Sequence, residues 1–156
     1  MWTQYHKNGE IASTVVMRLP QYAAIETRVY GAGKMVCSGA KTEEDAICAM
    51  QSCARIIKAI ELPNVMFQYC GVRNVLASYT LSFRVPLATL ALAYGEFTYY
   101  DPRHFSGLII RIPEPKVVVK ILMNGKLIFT GATSIADVVV ALRIVHPMLK
   151  EHMVQK

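Results

Sequence analysis

The sequence predicts an α+β fold in which two copies of one unit form a single antiparallel sheet with helices on one face. Two observations carry this prediction. A stretch of the chain recurs 92 positions later, as in Gly33-Lys34 and Gly125-Lys126. Each copy also follows the order strand, strand, turn, strand and helix, and no linker separates the copies. The 156 residues can bury a core without a metal or a disulfide.

The repeat extends from a hairpin through a helix cap into a helix. Arg28–Ala40 aligns with Lys120–Ala132, and Thr42 and Ser134 each precede an aspartate by three positions. A hydroxyl residue followed in this way by a carboxylate is typical of a helix N-terminus. The two following helices carry matching apolar stripes at core-facing spacing. These stripes are Ala46, Ala49, Met50, Cys53 and Ile57, and Val138, Ala141, Leu142, Val145 and Leu149.

Runs of β-forming residues place the strands around the two hairpins, whose turns contain glycine. In the first copy, the predicted elements are strands Ala12–Arg18, Tyr22–Tyr30 and Lys34–Ser38 and a helix Thr42–Glu61. In the second copy, they are strands Leu108–Ile112, Lys116–Met123 and Lys126–Thr130 and a helix Ser134–Lys150, which Pro147 interrupts or bends.

The second copy has an additional front end. Val65–Phe83 is predicted as a strand with an irregularity near Gly71, and Leu87–Tyr94 as a short helix. Too few residues precede Glu10 for the first copy to hold the same two elements. We therefore predict a first repeat over residues 1–62, without its opening strand and helix, and a second repeat over residues 63–156.

Composition and charge narrow the class of protein. Hydrophobic residues make up 53% and charged residues 18%, a balance that excludes intrinsic disorder. The longest runs without a charged residue, Leu62–Val72 and Val85–Gly95, are shorter than the roughly 20 residues of a membrane helix. The N-terminus has no apolar segment of a secretory signal, and we expect no membrane partner. The net charge of +6 modestly favours a polyanionic partner.

The residues that could carry chemistry form no catalytic or metal-binding pattern. The chain has no phosphate loop, no nucleophile elbow and no paired histidines at zinc-binding spacing. We expect neither an enzyme nor a cofactor. The four cysteines lack a C-x-x-C pair and are predicted to be reduced, buried thiols of an intracellular protein. They are Cys37, Cys48, Cys53 and Cys70.

Strand alternation leaves one face of the sheet without a covering element. Leu127 and Phe129 should face the helices, which turns Ile128 and Thr130 to the other side. An uncovered face that is partly apolar suggests a binding surface. A dimer interface, or an ordinary surface with scattered aliphatic residues, remains the alternative.

Five segments of the chain are long, ordered and distinctive. They are Gly33–Asp45, Tyr100–Arg111, Pro115–Leu122, Gly125–Ala132 and Val145–Lys150. Together they resemble the conserved core of the TATA-box-binding protein family, over about Glu10 to Glu151. The resemblance implies a saddle, in which two pseudo-symmetric repeats form one curved antiparallel sheet with helices on its convex face. The concave face would lie in the DNA minor groove, where the family is itself the reference example of apolar wedges that kink the duplex.

The resemblance also implies a function, partners and a location. A general transcription initiation factor would bind and bend double-stranded promoter DNA in the nucleus and nucleate the preinitiation complex. Its protein partners would be transcription factors IIA and IIB and TBP-associated factors. A scaffold with weak or sequence-nonspecific DNA binding is the alternative. The missing opening strand would leave an unpaired sheet edge, so we also expect either self-association or an edge covered by the Val65–Phe83 strand of the second repeat.

The chain departs from the family pattern at the residues that would bind DNA. Asn74 matches one of two central asparagines, and the other is missing with the opening strand. Of the wedge positions only Phe105 is retained, and its partner falls on Leu122. The corresponding pair in the first repeat falls on Tyr30 and on Ile11 or Ala12. The other expected DNA-binding residues are Leu76, Ile128, Thr130, Val36, Ser38, Lys34, Lys41 and Lys126.

Basic residues stand where the family usually has other side chains. Arg28 and Lys120, two residues before a wedge position, replace aliphatic residues and are expected to reach phosphates. The segment that resembles the family's surface for transcription factor IIB is usually acidic. Here it contains Asp101, Arg103 and His104, which are expected to contact a protein partner although the segment is less acidic than in the family. Arg55 and Lys58, off the apolar stripe of their helix, are expected to serve a protein partner, with a solvated face as the alternative.

Overall fold

The computed structural model describes residues 3–7, 10–60, 66–68 and 70–152 of the chain. The chain divides into two compact units, Met1–Gly71 and Val72–Lys156. We call them unit 1 and unit 2. Each combines an antiparallel sheet with helices, which is the predicted α+β class. The boundary between residues 62 and 63 stays a prediction of where the second repeat begins.

Unit 1 contains a sheet of four strands in the order β1-β2-β3-β4, followed by a long helix. A short 3₁₀ turn, Pro20–Tyr22, joins the second strand to the third. The elements are β1 (Thr3–Lys7), β2 (Glu10–Met17), β3 (Glu26–Tyr30), β4 (Met35–Ser38) and α1 (Glu43–Ile60).

Unit 2 contains a sheet of five strands in the order β5-β9-β8-β7-β6 and two helices. The elements are β5 (Val75–Thr80), α2 (Leu87–Ala93), β6 (Thr98–Tyr99), β7 (Leu108–Ile112), β8 (Val117–Ile121), β9 (Lys126–Ala132) and α3 (Ile135–Glu151).

The strand register reproduces the repeat. Strands β2, β3 and β4 correspond to β7, β8 and β9, and β1 and β6 each pair with the outer side of the first of them. Val15 pairs with Val29 as Leu108 pairs with Ile121, so β2 and β7 are 93 positions apart although β3 and β8 are 92 apart. Counted back from this register, Ala12, and not Ile11, holds the backbone position of Phe105.

Glycines with positive φ mark the turns of the repeat. They are Gly33 (82°), Gly125 (88°), Gly39 (89°) and Gly131 (89°), and they form two pairs 92 positions apart. Residues with a Cβ rarely adopt this conformation, so both copies have kept glycine where the turn geometry requires it.

Each helix packs its apolar stripe on its own sheet. In unit 2, α3 buries Ala141, Val145 and Leu149 against alternate residues of the strands, including Val119 and Phe129. Among the side chains that the structure describes in unit 1, the buried ones include a single hydroxyl residue, Thr27. The others are Met17, Ile25, Ala49, Met50, Cys53 and Ala54.

All four cysteines are free thiols, but the prediction that they are buried is wrong for Cys48, which is exposed. Cys53 is buried, whereas Cys37 and Cys70 are half-buried. Burial raises the pKa of Cys37 and of Cys53, and a hydrogen bond with Thr27 partly opposes this effect. These two thiols therefore hold their protons at neutral pH and behave as core residues.

Three predicted elements differ in the structure. The strand predicted over Tyr22–Tyr30 begins only at Glu26, because Pro20–Tyr22 form a 3₁₀ turn. Among the described residues, the strand predicted over Val65–Phe83 is confined to Val75–Thr80, because only this part pairs with β9. The helix over Ser134–Lys150 is not interrupted: α3 is continuous through Pro147. Strand β1 was not predicted. No counterpart of β5 or α2 occurs in the described part of unit 1.

The helix caps confirm the repeated hydroxyl and carboxylate pairs. The Ser134 hydroxyl accepts a hydrogen bond from the Asp137 amide at 3.1 Å, and the Asp137 carboxylate accepts one from the Ser134 amide at 3.0 Å. In unit 1 the Thr42 hydroxyl accepts from the Asp45 amide at 3.1 Å. Hydrogen bonds from the Thr133 hydroxyl and amide hold the pKa of Asp137 below its usual value.

Loss of the Ser134 cap should destabilise the protein more than loss of the Thr42 cap. We expect Ser134→Ala to lower the free energy of unfolding by about 1 kcal/mol, because it removes half of a reciprocal capping box. Thr42→Ala should cost about half as much. Urea denaturation of both variants measures the difference, and a larger effect of Thr42→Ala would contradict this account.

Candidate nucleic-acid interface

The face of each sheet that points away from its helix holds most of the predicted DNA-binding residues. We call it the distal face. Buried and exposed residues alternate along the strands, so the side chains opposite the core lie on this face. In unit 2 the distal face comprises Leu76, Ser78, Ile109, Arg111, Val118, Lys120, Ile128 and Thr130. In unit 1 it comprises Val16, Glu26, Arg28, Val36 and Ser38.

The distal face of unit 2 combines exposed apolar side chains with basic ones. Leu76 is 69% exposed, an unusual fraction for a leucine within a strand. In the central row, Ile109 pairs with Lys120, which pairs with Ile128. Thr130 lies beside Val118 and donates a long hydrogen bond, 3.5 Å, to its carbonyl oxygen. The predicted residues of unit 2 thus lie together on one surface.

Phe105 lies at one end of this surface. Its half-buried ring packs over the backbone of Gly107, where a Cβ would lie 2.5 Å from the ring atom Cε1. The Lys120 ammonium is 5.7 Å from the ring centroid, within reach of a cation–π interaction. Leu122 is also half-buried, and its amide donates to the Lys126 carbonyl at 2.9 Å across the hairpin turn.

Asn74 precedes β5 and is exposed. Its Oδ1 accepts a hydrogen bond from the Gly131 amide at 2.7 Å. Because the side-chain oxygen is bound to the protein backbone, the Nδ2 amino group is the part of Asn74 that can donate a hydrogen bond. The predicted lysines Lys34, Lys41 and Lys126 are all exposed.

Tyr30 ends β3, is half-buried and pairs with Thr14. The side chains of Ile11 and Ala12, the other first-repeat wedge candidates, lie outside the described residues. The backbone register nevertheless places Ala12 at the position in unit 1 that Phe105 holds in unit 2, so the wedge partner of Tyr30 is an alanine.

A salt-bridged group on the distal face of unit 1 was not predicted. The Glu26 carboxylate accepts from Arg18 Nη2 at 2.5 Å and from Arg28 Nε at 2.8 Å. Hydrogen bonds from Arg28 and then from Arg18 hold the pKa of Glu26 below its usual value. Strand alternation alone, with Thr27 facing the core, would have placed Glu26 beside Arg28 on this face.

The loop at Asp101 turns its carboxylate inward. This carboxylate accepts from Arg103 Nε and Nη2, both at 3.0 Å, and lies 2.9 Å from His104 Nδ1. The bonds from Arg103, followed by His104, hold the pKa of Asp101 below its usual value. The side chains of Arg103 and His104 are 84% and 75% exposed, so the loop presents basic groups.

The helices present further exposed residues. Arg55 and Lys58 are exposed on α1, where the sequence predicted them. Sequence reasoning missed an apolar group on α3, whose members are Ile135, Val139, Val140 and Ile144. In the part of the chain that the structure describes, no three metal-ligating side chains form a cluster. No helix among the described residues is both long and apolar enough to cross a bilayer.

Two duplicated sheet-and-helix units with partly apolar, basic distal faces define a binding protein of the α+β class. The family model described as "Transcription factor TFIID (or TATA-binding protein, TBP)" matches residues 3–60 and 70–152. The chain belongs to this family. Its members are transcription factors, which agrees with the expectation that the chain is not an enzyme.

Several relatives and one solved structure are similar to this chain over most of its length. It is 34% identical over 147 residues to TATA-box-binding protein 1 of Triticum aestivum, covering 93% of this chain and 61% of the relative. It is 36% identical over 146 residues to the TATA-box-binding protein of Candida albicans, covering 92% of this chain and 60% of the relative. The chain thus spans about three-fifths of these relatives. The structure of Methanococcus jannaschii TBP matches with a TM-score of 0.75 and 32% identity, over 89% of this chain and 78% of that chain. The predicted α+β fold class of this family is therefore confirmed, and among the described residues the strands form one sheet of four and one sheet of five.

Proposed function

We propose that the chain is a general transcription initiation factor of the nucleus. It binds promoter DNA in the minor groove through the distal faces, bends the duplex and nucleates assembly of the preinitiation complex. The observation that carries the proposal is the distal face of unit 2, where the exposed Leu76 lies on the same surface as Lys120 and Phe105. Family membership supports the same function.

The chemistry of this face suits a minor groove. Minor-groove binding relies on apolar wedges inserted between base steps and on basic side chains directed at phosphates. Phe105 and Leu122 are apolar residues of the required kind. The amino group of Asn74 can donate to adenine N3 and thymine O2, the acceptors that A·T pairs show in this groove.

A salt-titrated binding assay tests the proposal. It compares a duplex that contains an A·T-rich TATA element with a scrambled duplex of the same composition. Preference for the TATA element, together with a bend measured by energy transfer between the duplex ends, supports the initiation factor. Equal, weak affinity for both duplexes would instead identify a protein-interaction scaffold.

Removal of the two basic residues on the distal faces should flatten the salt dependence of binding. Each contact with a phosphate contributes about 0.9 to the slope of log affinity against log salt. We expect Arg28→Ala and Lys120→Ala to lower the slope by about 0.9 each, and the double variant by about 1.8. Arg143→Ala, which removes an exposed charge from α3, is the matched control and should leave the slope unchanged. An unchanged slope in the double variant would exclude these phosphate contacts.

Protein partners would bind the helices and the loop at Asp101. We propose transcription factors IIA and IIB and TBP-associated factors as these partners. Because Asp101 is enclosed by Arg103 and His104, the loop offers a basic surface, so its partner should carry an acidic one. The incomplete sheet of unit 1 also supports self-association through β4, which among the described residues pairs only with β3.

Charge reversal on α1 tests one such surface. We expect Arg55→Glu combined with Lys58→Glu to reduce recovery of a purified partner severalfold, because opposite charges across an interface become like charges. The measurement is a pull-down with transcription factors IIA and IIB and TBP-associated factors, each tested separately. Arg143→Glu on α3 serves as the control. If recovery of every partner is unchanged, α1 is a solvated face.

A further inference from the structure

The salt-bridged group of Arg18, Glu26 and Arg28 places a carboxylate in the distal face of unit 1. Both carboxylate oxygens are held, Oε2 by Arg18 and Oε1 by Arg28. The side chain of Glu26 is 19% exposed, whereas those of Arg18 and Arg28 are 67% and 55% exposed. The carboxylate thus has a fixed position on a surface that carries a net positive charge.

Unit 2 has the same strand pairing and flanking basic residues at the equivalent position, but no carboxylate. Val118, 92 positions after Glu26, pairs with Arg111 and with Thr130, and Lys120 lies two residues further along the strand. Glu26 correspondingly pairs with Ser38. The two distal faces are therefore alike in backbone and in flanking cations, and they differ at this position by one acidic side chain.

A carboxylate responds differently to the two kinds of base pair in a minor groove. It accepts hydrogen bonds and donates none, and each oxygen has a second lone pair beyond the one its arginine occupies. A·T pairs present only acceptors there, adenine N3 and thymine O2, which repel a carboxylate. G·C pairs add the N2 amino group of guanine, the one donor in this groove. Arg18 and Arg28 offset the repulsion between Glu26 and the phosphates.

We propose that Glu26 makes unit 1 selective for a G·C pair in the half of the DNA site that it contacts, by accepting a hydrogen bond from the guanine N2 amino group. The inference rests on the proposed minor-groove function. Unit 2, with Val118 at this position, keeps the preference for A·T pairs. The preferred duplex is therefore asymmetric and orients the protein along the DNA.

Inosine provides the experiment, because an inosine·cytosine pair lacks the N2 amino group and otherwise has the edges of a G·C pair. An A·T-only duplex is compared with duplexes in which single pairs are replaced, position by position in each half, by G·C or by inosine·cytosine. Fluorescence anisotropy at one salt concentration gives the affinities. At one position in one half, G·C should bind about fivefold tighter than inosine·cytosine, the lower end expected for a specific base contact.

Two substitutions show whether the carboxylate is responsible. Glu26→Val gives unit 1 the residue of unit 2 and should abolish the preference for G·C over inosine·cytosine. Val118→Glu, the matched control, places a carboxylate between Arg111 and Lys120 and should create the preference in the other half. Each readout is a ratio of two affinities for one preparation, so a loss of folded protein does not change it.

The possible outcomes distinguish failure of the proposed Glu26 contact from failure of the proposed minor-groove function. Equal affinity for G·C and inosine·cytosine at every position overturns the role of Glu26, and so does a preference that neither substitution removes or moves. The minor-groove function still stands in that case if A·T and inosine·cytosine duplexes bind equally well. A difference between A·T and inosine·cytosine, or no binding to any duplex, overturns both.

Discussion

Phe105→Ala should reduce the DNA bend more than Tyr30→Ala. An apolar ring between base steps offsets unstacking by new contacts, and Phe105 has Leu122 as an apolar partner. Tyr30 carries a hydroxyl that needs a hydrogen-bond partner when buried, and the strand register gives it Ala12 in the position that Phe105 holds in unit 2. The complex should therefore contain a firm kink at the end held by Phe105 and a softer one at the other end.

Energy transfer between dyes at the two duplex ends measures the bend angle of each variant at saturating protein. Leu122→Ala should reduce the bend as Phe105→Ala does, because both residues belong to the same wedge. Tyr30→Phe is the control for the hydroxyl and should increase the bend if that group limits insertion. Equal bends for Phe105→Ala and Tyr30→Ala would show that the wedges contribute alike and would contradict the asymmetric complex.

Gly125→Ala should destabilise the protein far more than Gly33→Ala, although the two glycines hold equivalent positions with φ of 88° and 82°. At Gly33 an added Cβ meets nothing within 4 Å, so the cost is that of a left-handed residue, about 1 kcal/mol. At Gly125 the Cβ would overlap the carbonyl oxygen of Phe83. We expect a loss of about 3 kcal/mol or more, because backbone must move.

For the second glycine pair, the larger loss of stability is expected in unit 1 and not in unit 2. A Cβ at Gly39 would overlap the Ala24 carbonyl oxygen, whereas at Gly131 the nearest atom, the Lys116 carbonyl oxygen, is 3.2 Å away. Gly39→Ala should therefore cost more than Gly131→Ala. Denaturant unfolding of the four variants gives the free energies. Equal losses within each pair would mean that φ alone, and not the neighbouring carbonyl, makes glycine necessary.

Much of the fold could be predicted because its determinants are local. Capping pairs such as Ser134 and Asp137 and turn glycines such as Gly33 act within a few residues, so each copy specifies the same element at the same offset. Strand alternation likewise suffices to place Lys120 and Ile128 on one face, because side chains two positions apart in a strand point the same way.

The remainder depends on contacts between distant parts of the chain. The polar segment Thr3–Lys7 becomes a strand because β2 offers it an edge, which its composition does not indicate. Conversely, the described part of the apolar run, residues 66–68 and 70–83, is a strand only where β9 supplies hydrogen bonds, over Val75–Thr80. The salt bridge between Glu26 and Arg18 could not be predicted for the same reason, since Arg18 reaches the carboxylate across the connection between β2 and β3.

Strands β2 and β7 are 93 positions apart, whereas β3 and β8 are 92 apart, and this difference shows how the two copies have diverged. The two copies have diverged by an insertion or deletion, and it fell in the connection between the first two shared strands, where a 3₁₀ turn in one copy replaces the turn at Pro113–Lys116 in the other. Within a strand, the same event would have moved every following side chain to the opposite face. Divergence on the duplicated surface has therefore proceeded by substitution, and each half can acquire its own chemistry one residue at a time without loss of the shared architecture.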